Sequence, residues 1–150
     1  MRAAPDDVGA LLALEDRAFR TDRMSRRSMR RFLNSPHARM IVAHLDRDLI
    51  GHALILFRST GATARLYSLA VDPAHCGHGI GQMLIAAAER AAEQRNCARL
   101  RLEVHERNAA AVALYQKAGY RLFGRHLHYY QDKGNALRFE KRLAASPTQP

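Results

Sequence analysis

The stretch Leu69-Ala70-Val71-Asp72-Pro73-Ala74-His75-Cys76-Gly77-His78-Gly79-Ile80-Gly81 decides how the rest of the chain is read. An apolar strand runs into a turn, and three alternate glycines lead straight into an amphipathic run. Glycines bring backbone N–H groups close to a ligand, and a helix start adds roughly half a positive charge. Such a turn holds phosphate or pyrophosphate with few side chains. Two familiar phosphate-binding patterns do not fit. The Walker pattern needs Gly-Lys followed by Ser or Thr, which is missing. The dinucleotide fingerprint Gly-x-Gly-x-x-Gly has Gln82 where its third glycine belongs, and it would follow a first strand rather than an antiparallel hairpin. A tight turn without a ligand is the plainer alternative.

Outward from this turn, Arg65–Val71 reads as the strand that feeds it, after the turn Ser59-Thr60-Gly61-Ala62. Met40–His44 and Leu49–Phe57 read as an earlier hairpin. Upstream lie two helices. Asp6 and Asp7 stand where an N-cap belongs, with Val8, Leu11, Leu12, Leu14 and Phe19 at helical spacing. Thr21-Asp22 breaks this helix and Ser25 caps the next, whose apolar stripe is Met29, Phe32 and Leu33 against Arg26, Arg27, Arg30 and Arg31. Asn34-Ser35-Pro36 ends it. Met1–Ala4 is long enough for a partial strand only.

Downstream, a helix runs to about Arg95 with Ile80, Met83, Leu84, Ala87, Ala88 and Ala91 on one side. Leu100, Leu102 and Val104 alternate with Arg101, Glu103 and His105 as a strand. Asn108 caps a helix that Gly119 terminates. Arg121–His128 and Ala136–Arg142 form a closing hairpin around Asp132-Lys133-Gly134-Asn135. The expected fold class is α/β: one mixed-sheet domain over residues 1–143, antiparallel in its first half, with a βαβ-like connection in the middle. Residues 144–150 read as a disordered tail.

Composition sets the outer bounds. The chain has 150 residues, 47% of them hydrophobic and 25% charged, the mix of an ordinary folded domain. Two cysteines make no disulfide framework and fit a reducing cytosol. No apolar run approaches membrane-spanning length, and the N-terminus lacks a signal-peptide layout, so a cytoplasmic protein without membrane association is expected. The 24 Lys and Arg against 14 Asp and Glu give a formal net charge of +10. That surplus points to nucleic acid, an acidic protein or a polyanionic small molecule. No aromatic-basic interleaving or recognition helix supports nucleic acid.

The glycine turn closely resembles the acetyl-CoA loop of the GCN5-related N-acetyltransferases, and the likeness extends from about Asp6 to Leu143 in the family's element order. Leu102-Glu103-Val104 and the run from Asn108 through Leu114-Tyr115 to Gly119-Tyr120 carry it further, and look most like the ribosomal-protein alanine N-acetyltransferases. Tyr129-Tyr130 resembles the tyrosine pair of N-terminal protein acetyltransferases. The resemblance implies an acyl-CoA N-acyltransferase domain whose parallel strands splay apart at the cofactor. Leu69, Ala70 and Val71 would offer main-chain groups to the pantetheine arm. Gly77, His78, Gly79, Ile80, Gly81 and Gln82 would wrap the pyrophosphate, beside Cys76, which stands where the family usually has Arg or Gln. Asn108 would bond the pantetheine.

Acetyl transfer from a thioester to an amine requires removal of an amine proton, stabilisation of the carbonyl oxygen and protonation of the leaving thiolate. The resemblance makes Glu103 the base, through water, although alternation alone reads it as one charge on a solvated strand face. It makes Tyr115 both a cofactor neighbour and the acid, against a plainer reading as a core aromatic. A backbone N–H near Val71 would hold the carbonyl oxygen. Tyr129 and Tyr130 would line the acceptor groove, or simply pack. His75, Cys76 and His78 lack a second ligand cluster, so no metal is expected. Cys76 is either an oxidisable thiol or a plain replacement. The arginine helix is a solvated face or a border of the groove. The expected acceptor is a protein or peptide amine, with a small amine such as a polyamine or aminoglycoside as the alternative. A non-catalytic acetyl-CoA sensor is a further reading. The chain is expected to be a monomer or homodimer.

Overall fold

The computed structural model describes residues 2–19, 22–58 and 61–143. The hairpin read from Met40–His44 and Leu49–Phe57 is present, with its first strand longer at both ends and its second longer by one residue at the turn. Strand β1 (Ala38–Leu45) pairs antiparallel with β2 (Asp48–Phe57), which pairs antiparallel with β3 (Thr63–Val71). Strand β4 (Arg99–His105) runs parallel to β3, and β6 (Ala136–Arg142) lies antiparallel between β4 and the edge strand β5 (Arg121–His126). Among the described residues the sheet order is β1-β2-β3-β4-β6-β5. This is the expected mixed sheet with an antiparallel first half.

The functional consequence lies in one short ladder. β3 and β4 pair only from Thr63↔Arg99 to Leu66↔Leu102. Beyond that point both strands continue, β3 to Val71 and β4 to His105, without pairing to each other. The parallel pair therefore opens at its C-terminal end.

Helices α1 (Val8–Ala18) and α2 (Arg26–Leu33) cover one face of the sheet, where Leu11, Leu14 and Met29 pack on Met40, Val42 and Leu54. Helices α3 (Ile80–Gln94) and α4 (Ala109–Lys117) cover the other, over Ile55, Leu66, Leu100, Leu102 and Phe139. Ser25 caps α2 as expected, its Oγ accepting from Ser28 N–H. Asn108 caps α4, accepting from Ala111 N–H at 3.1 Å. Gly119, at φ +98°, follows its end.

Several expectations require correction. Asp7 stands at the N-cap of α1 as expected, but its side chain makes no capping hydrogen bond there. Its carboxylate turns back to accept from Ala4 N–H at 2.8 Å, closing the short 3-10 turn Pro5–Asp7 ahead of the helix. The buried face of α3 is Leu84, Ile85, Ala88, Ala91 and Ala92, whereas Met83 is 65% exposed. At about 100° per residue, Met83 lies past the edge of the stripe centred on Leu84 and Ala88. β5 ends at His126, because His128 has φ +55° and leaves the strand. The piece before α1 is a single bridge, Arg2 to Ile41, extended by Ala3 N–H donating to Met40 C=O. Met1, Thr21, Ser59, Thr60 and the expected tail 144–150 lie outside the described residues.

α3 approaches the sheet closely at Gly51 of β2. A Cβ there would stand 2.9 Å from Leu84 Cδ1 and 3.2 Å from both Ala70 O and Ile80 Cγ2. The missing side chain lets the first turn of α3 lie directly on β2 and β3. It thereby fixes the glycine-rich turn at the open end of β3.

Candidate active site

The divergence of β3 from β4 opens a cavity of about 570 Å³. It is walled by Glu15, Ala18 and Phe19 of α1 and its end, by Arg65–Leu69 of β3 and by Glu103–His105 of β4. Asn108, Ala111 and Tyr115 of α4 and the turn residues Tyr129–Gln131 complete it. Across its mouth the α1–α2 link meets the β5–β6 turn. Asp22 N–H donates to Gln131 Oε1 at 3.0 Å, and Gln131 N–H donates back to Asp22 Oδ1 at 3.2 Å.

Glu103 is not a solvated charge. Its side chain is 9% exposed and sits between two guanidiniums, 2.7 Å from Arg65 Nη2 and 3.4 Å from Arg138 Nε. Register explains the second contact, since Glu103 of β4 lies directly opposite Arg138 of β6. Arg65 also donates from Nη2 to the Tyr129 hydroxyl. Burial works against the charge of Arg65, but Glu103 and then Tyr129 outweigh it and raise its pKa above the ordinary arginine value. Two strands and the β5–β6 turn thus converge on one carboxylate.

Tyr115 is buried, 6% exposed, and meets Tyr120 edge-on at 5.8 Å. Burial pushes its hydroxyl well above the ordinary phenol range, so the group stays protonated. Tyr130 is pushed up as well, by burial first and then by the nearby Tyr129, Glu103, Asp22 and Tyr115. Its ring stacks on His105 at 5.0 Å and meets Tyr129 edge-on at 5.0 Å. His105 Nδ1 accepts from Arg107 N–H at 3.1 Å, which puts the ring proton on Nε2, donating to Asp132 at 2.9 Å. Asp132 also accepts from Gly134 N–H at 2.7 Å, so this histidine ties the β5–β6 turn to the end of β4.

The glycine turn lies at the far end of β3. Pro73–His75 forms a 3-10 turn whose Asp72 accepts from Ala74 N–H and pairs with Arg17 Nε at 3.0 Å. Gly77 and Gly79 sit at φ +85° and +80°, which side-chain-bearing residues rarely adopt. Gly79 is the N-cap of α3, so Ile80, Gly81 and Gln82 carry the N–H groups that no preceding helical carbonyl can take. These features fit a pyrophosphate. The β3 edge fits a pantetheine arm. Asp72 N–H donates to Ile50 C=O at 2.7 Å, and the antiparallel ladder alternates, so Ala70 opposite His52 also faces β2. Leu69 and Val71 then present their main-chain groups to the open side, and Ala70 does not.

The cavity brings together Leu69, Glu103, Asn108, Tyr115, Tyr129 and Tyr130. Ala70, Val71 and Cys76–Gln82 lie outside its wall. The Asn108 side-chain oxygen is already engaged by its own helix. Cys76 is exposed, and its thiol donates weakly to Asp72 C=O at 3.7 Å. Sequence reasoning missed Glu15, Arg65, Arg138 and the His105–Asp132 pair. Only Arg138 had a usable signal, its place opposite Glu103 once β4 and β6 are paired. Among the described residues no cluster of three or more His, Cys, Asp or Glu is placed to hold a metal, and no helix is long and apolar enough to cross a membrane.

Residues 8–120 match the sequence profile of the acetyltransferase (GNAT) family. The N-alpha-acetyltransferase RimI of Mycobacterium tuberculosis is 32% identical over 123 residues, covering 79% of this chain and 74% of that protein. The streptothricin acetyltransferase of Streptomyces lavendulae is 32% identical over 105 residues, 70% of this chain and 54% of its own length. The crystal structure of the ribosomal-protein-S18-alanine N-acetyltransferase from Escherichia coli superposes with a TM-score of 0.86 at 23% identity, over 100% of this chain and 97% of that one. The parallel pair that opens beside a glycine-capped helix is compatible with a thioester donor, and the sequence match settles the family: the chain belongs to the GNAT family and is an acetyl-CoA-dependent N-acetyltransferase.

Proposed function

We propose that this enzyme acetylates the α-amine at the N-terminus of a protein or peptide in the cytoplasm. The reciprocal hydrogen bonds between Asp22 and Gln131 carry this reading. They narrow the mouth between the α1–α2 link and the β5–β6 turn, which favours a chain end over a side chain presented from the middle of a chain. An α-amine, with an ordinary pKa near 8, also needs less help to lose its proton than a lysine near 10.4. The residues bind and react within one domain, residues 1–143.

When bound, acetyl-CoA supplies an activated carbonyl for direct attack by the amine. Leu69 and Val71 bind the pantetheine through their main chains, and Val71 N–H holds the carbonyl oxygen. Gly77 to Gln82 bind the pyrophosphate through backbone N–H groups at the start of α3, and Asn108 contributes its free amide nitrogen. Glu103, oriented by Arg65 and Arg138, accepts the amine proton through a water molecule. Tyr115 keeps its proton at neutral pH and gives it to the departing sulfur. Tyr129 and Tyr130 flank the incoming backbone.

The test is an acceptor panel with acetyl-CoA: peptides with a free α-amine, N-terminally blocked peptides with internal lysines, and small amines. Turnover restricted to free α-amines is expected. Turnover of small amines alone would replace the reading with its alternative, small-molecule acetylation, which the match to a streptothricin acetyltransferase favours.

A further inference from the structure

The core-facing stripe of α1 runs Val8, Leu11, Leu14 and Glu15, so a carboxylate occupies a place where helical spacing calls for an apolar residue. Glu15 is 1% exposed. Facing it from β2 is His52, 0% exposed, on the same side of the sheet as its strand partners Val42 and Ala70. Glu15 Oε1 and His52 Nε2 are 3.4 Å apart, and neither carboxylate oxygen nor either ring nitrogen has a hydrogen-bond partner among the described residues. Burying such groups unsatisfied opposes folding, and apolar side chains of similar volume would serve the core as well or better. A fold that keeps them is short of a donor.

The cavity is where that donor would come from, because Glu15 lines it together with Glu103 and Tyr115. Among the described residues, the arginines that line the cavity are committed elsewhere. Arg65 is held by Glu103 and Tyr129, and Arg23 donates to Phe19 C=O at 2.8 Å and pairs with Asp16 at 3.6 Å. A group that enters the cavity bearing positively charged N–H donors completes Glu15.

We propose that Glu15 is the carboxylate that receives the acceptor's ammonium group, with His52 behind it as a positioning residue that fixes the carboxylate toward the cavity. This rests on reading the cavity as the acceptor site. Glu15 makes or breaks no covalent bond. It orients the nitrogen that Glu103 then deprotonates, and it selects amines over neutral groups of the same shape.

The experiment compares wild type, Glu15→Gln and His52→Gln in three measurements: acetyl-CoA binding by calorimetry, steady-state kinetics with the best acceptor of the panel, and inhibition by that acceptor's hydroxyl analogue, in which OH replaces the amine. Loss of a hydrogen bond to a charged group predicts a KM rise of about 10–100-fold for Glu15→Gln, with kcat changed much less and acetyl-CoA affinity unchanged. The variant should also lose the wild-type preference for the amine over its hydroxyl analogue, and His52→Gln should show a smaller change in the same direction. Unchanged KM and unchanged amine preference in Glu15→Gln would overturn the proposal and leave the pair as structural. Should Glu15→Gln not fold, His52→Gln decides in the same way. If the panel shows small amines rather than α-amines as acceptors, the same comparison is made with the small amine, so failure of the peptide reading and failure of this one are told apart.

Discussion

Replacing Gly51 with alanine tests whether close approach of α3 to the sheet sets the cofactor turn. The added Cβ would meet Leu84 Cδ1 at 2.9 Å, Ala70 O at 3.2 Å and Ile80 Cγ2 at 3.2 Å. The Leu84 methyl is packed in the core, at 2% exposure, and the Ala70 oxygen belongs to the ladder, so neither neighbour moves freely. Overpacking of this kind costs about 1–3 kcal/mol. Removing a glycine from a strand returns about 0.5–1 kcal/mol. The net destabilisation is about 0–2.5 kcal/mol, a fall in Tm of up to about 10 °C for a chain of this size. The control is Gly9→Ala in α1, where nothing lies within 4 Å of the added Cβ, and the same chemical change should raise Tm by about 1–4 °C. Because Ile80 opens α3, pushing it off β2 also displaces the N–H groups meant for pyrophosphate. At a fixed concentration near 100 times the wild-type Kd, acetyl-CoA stabilises by about 2.7 kcal/mol, and a tenfold weaker Kd removes about 1.4 kcal/mol of that. Differential scanning with and without acetyl-CoA reads both effects. A Gly51→Ala protein with wild-type Tm and a wild-type ligand-induced shift would refute the packing argument and the coupling of Gly51 to the turn.

Tyr115→Phe keeps the ring contact with Tyr120 and removes the proton, so kcat should fall about 10²–10⁴-fold while acetyl-CoA affinity by calorimetry changes little. Arg65→Met should lower kcat/KM by releasing Glu103 and Tyr129 together, and Arg65→Lys should restore it only in part, because one ammonium does not reproduce the reach of a guanidinium. The Asp72 carboxyl is held below the usual range, chiefly by Ala74 N–H, against an opposing effect of burial and with help from Arg17. A lowered folded pKa means that its contribution is complete above the unfolded value of about 3.9 and is lost as pH falls through the folded value. Urea midpoints measured from pH 6 down to pH 2.5 should therefore fall more steeply for wild type than for Asp72→Asn.

What was legible in the sequence, and what was not, divides along the range of the interactions. Caps, turns and strand alternation are local. Ser25, Asn108, the positive-φ glycines and the buried Leu100, Leu102 and Val104 all stand where spacing put them. Asp7 holds the N-cap position that spacing gave it, but its carboxylate bonds back to Ala4 N–H rather than to the helix. Met83 failed because α3 carries apolar residues on more than half its circumference, so spacing alone does not fix which of Met83 and Ile85 faces the core.

The site depends on contacts that spacing cannot express. Alternation reads Glu103 as an outward-facing charge, and its local neighbours Arg101 and His105 point away from it to Glu140 and Asp132. Its true partners come from β3 and β6, 38 residues earlier and 35 later: Arg138 through the β4–β6 register and Arg65 from the last paired residues of the parallel ladder, which stops at Leu66↔Leu102. The same termination exposes the Leu69 and Val71 edge and admits Tyr129 beside Arg65. If β3 and β4 paired to their ends, the cavity between them would close. The candidate site in this fold is therefore a property of where two strands stop pairing. The surplus of positive charge is correspondingly divided. Arg65 and Arg138 hold the Glu103 carboxylate, while Arg26, Arg27, Arg30 and Arg31 stay on the exposed face of α2.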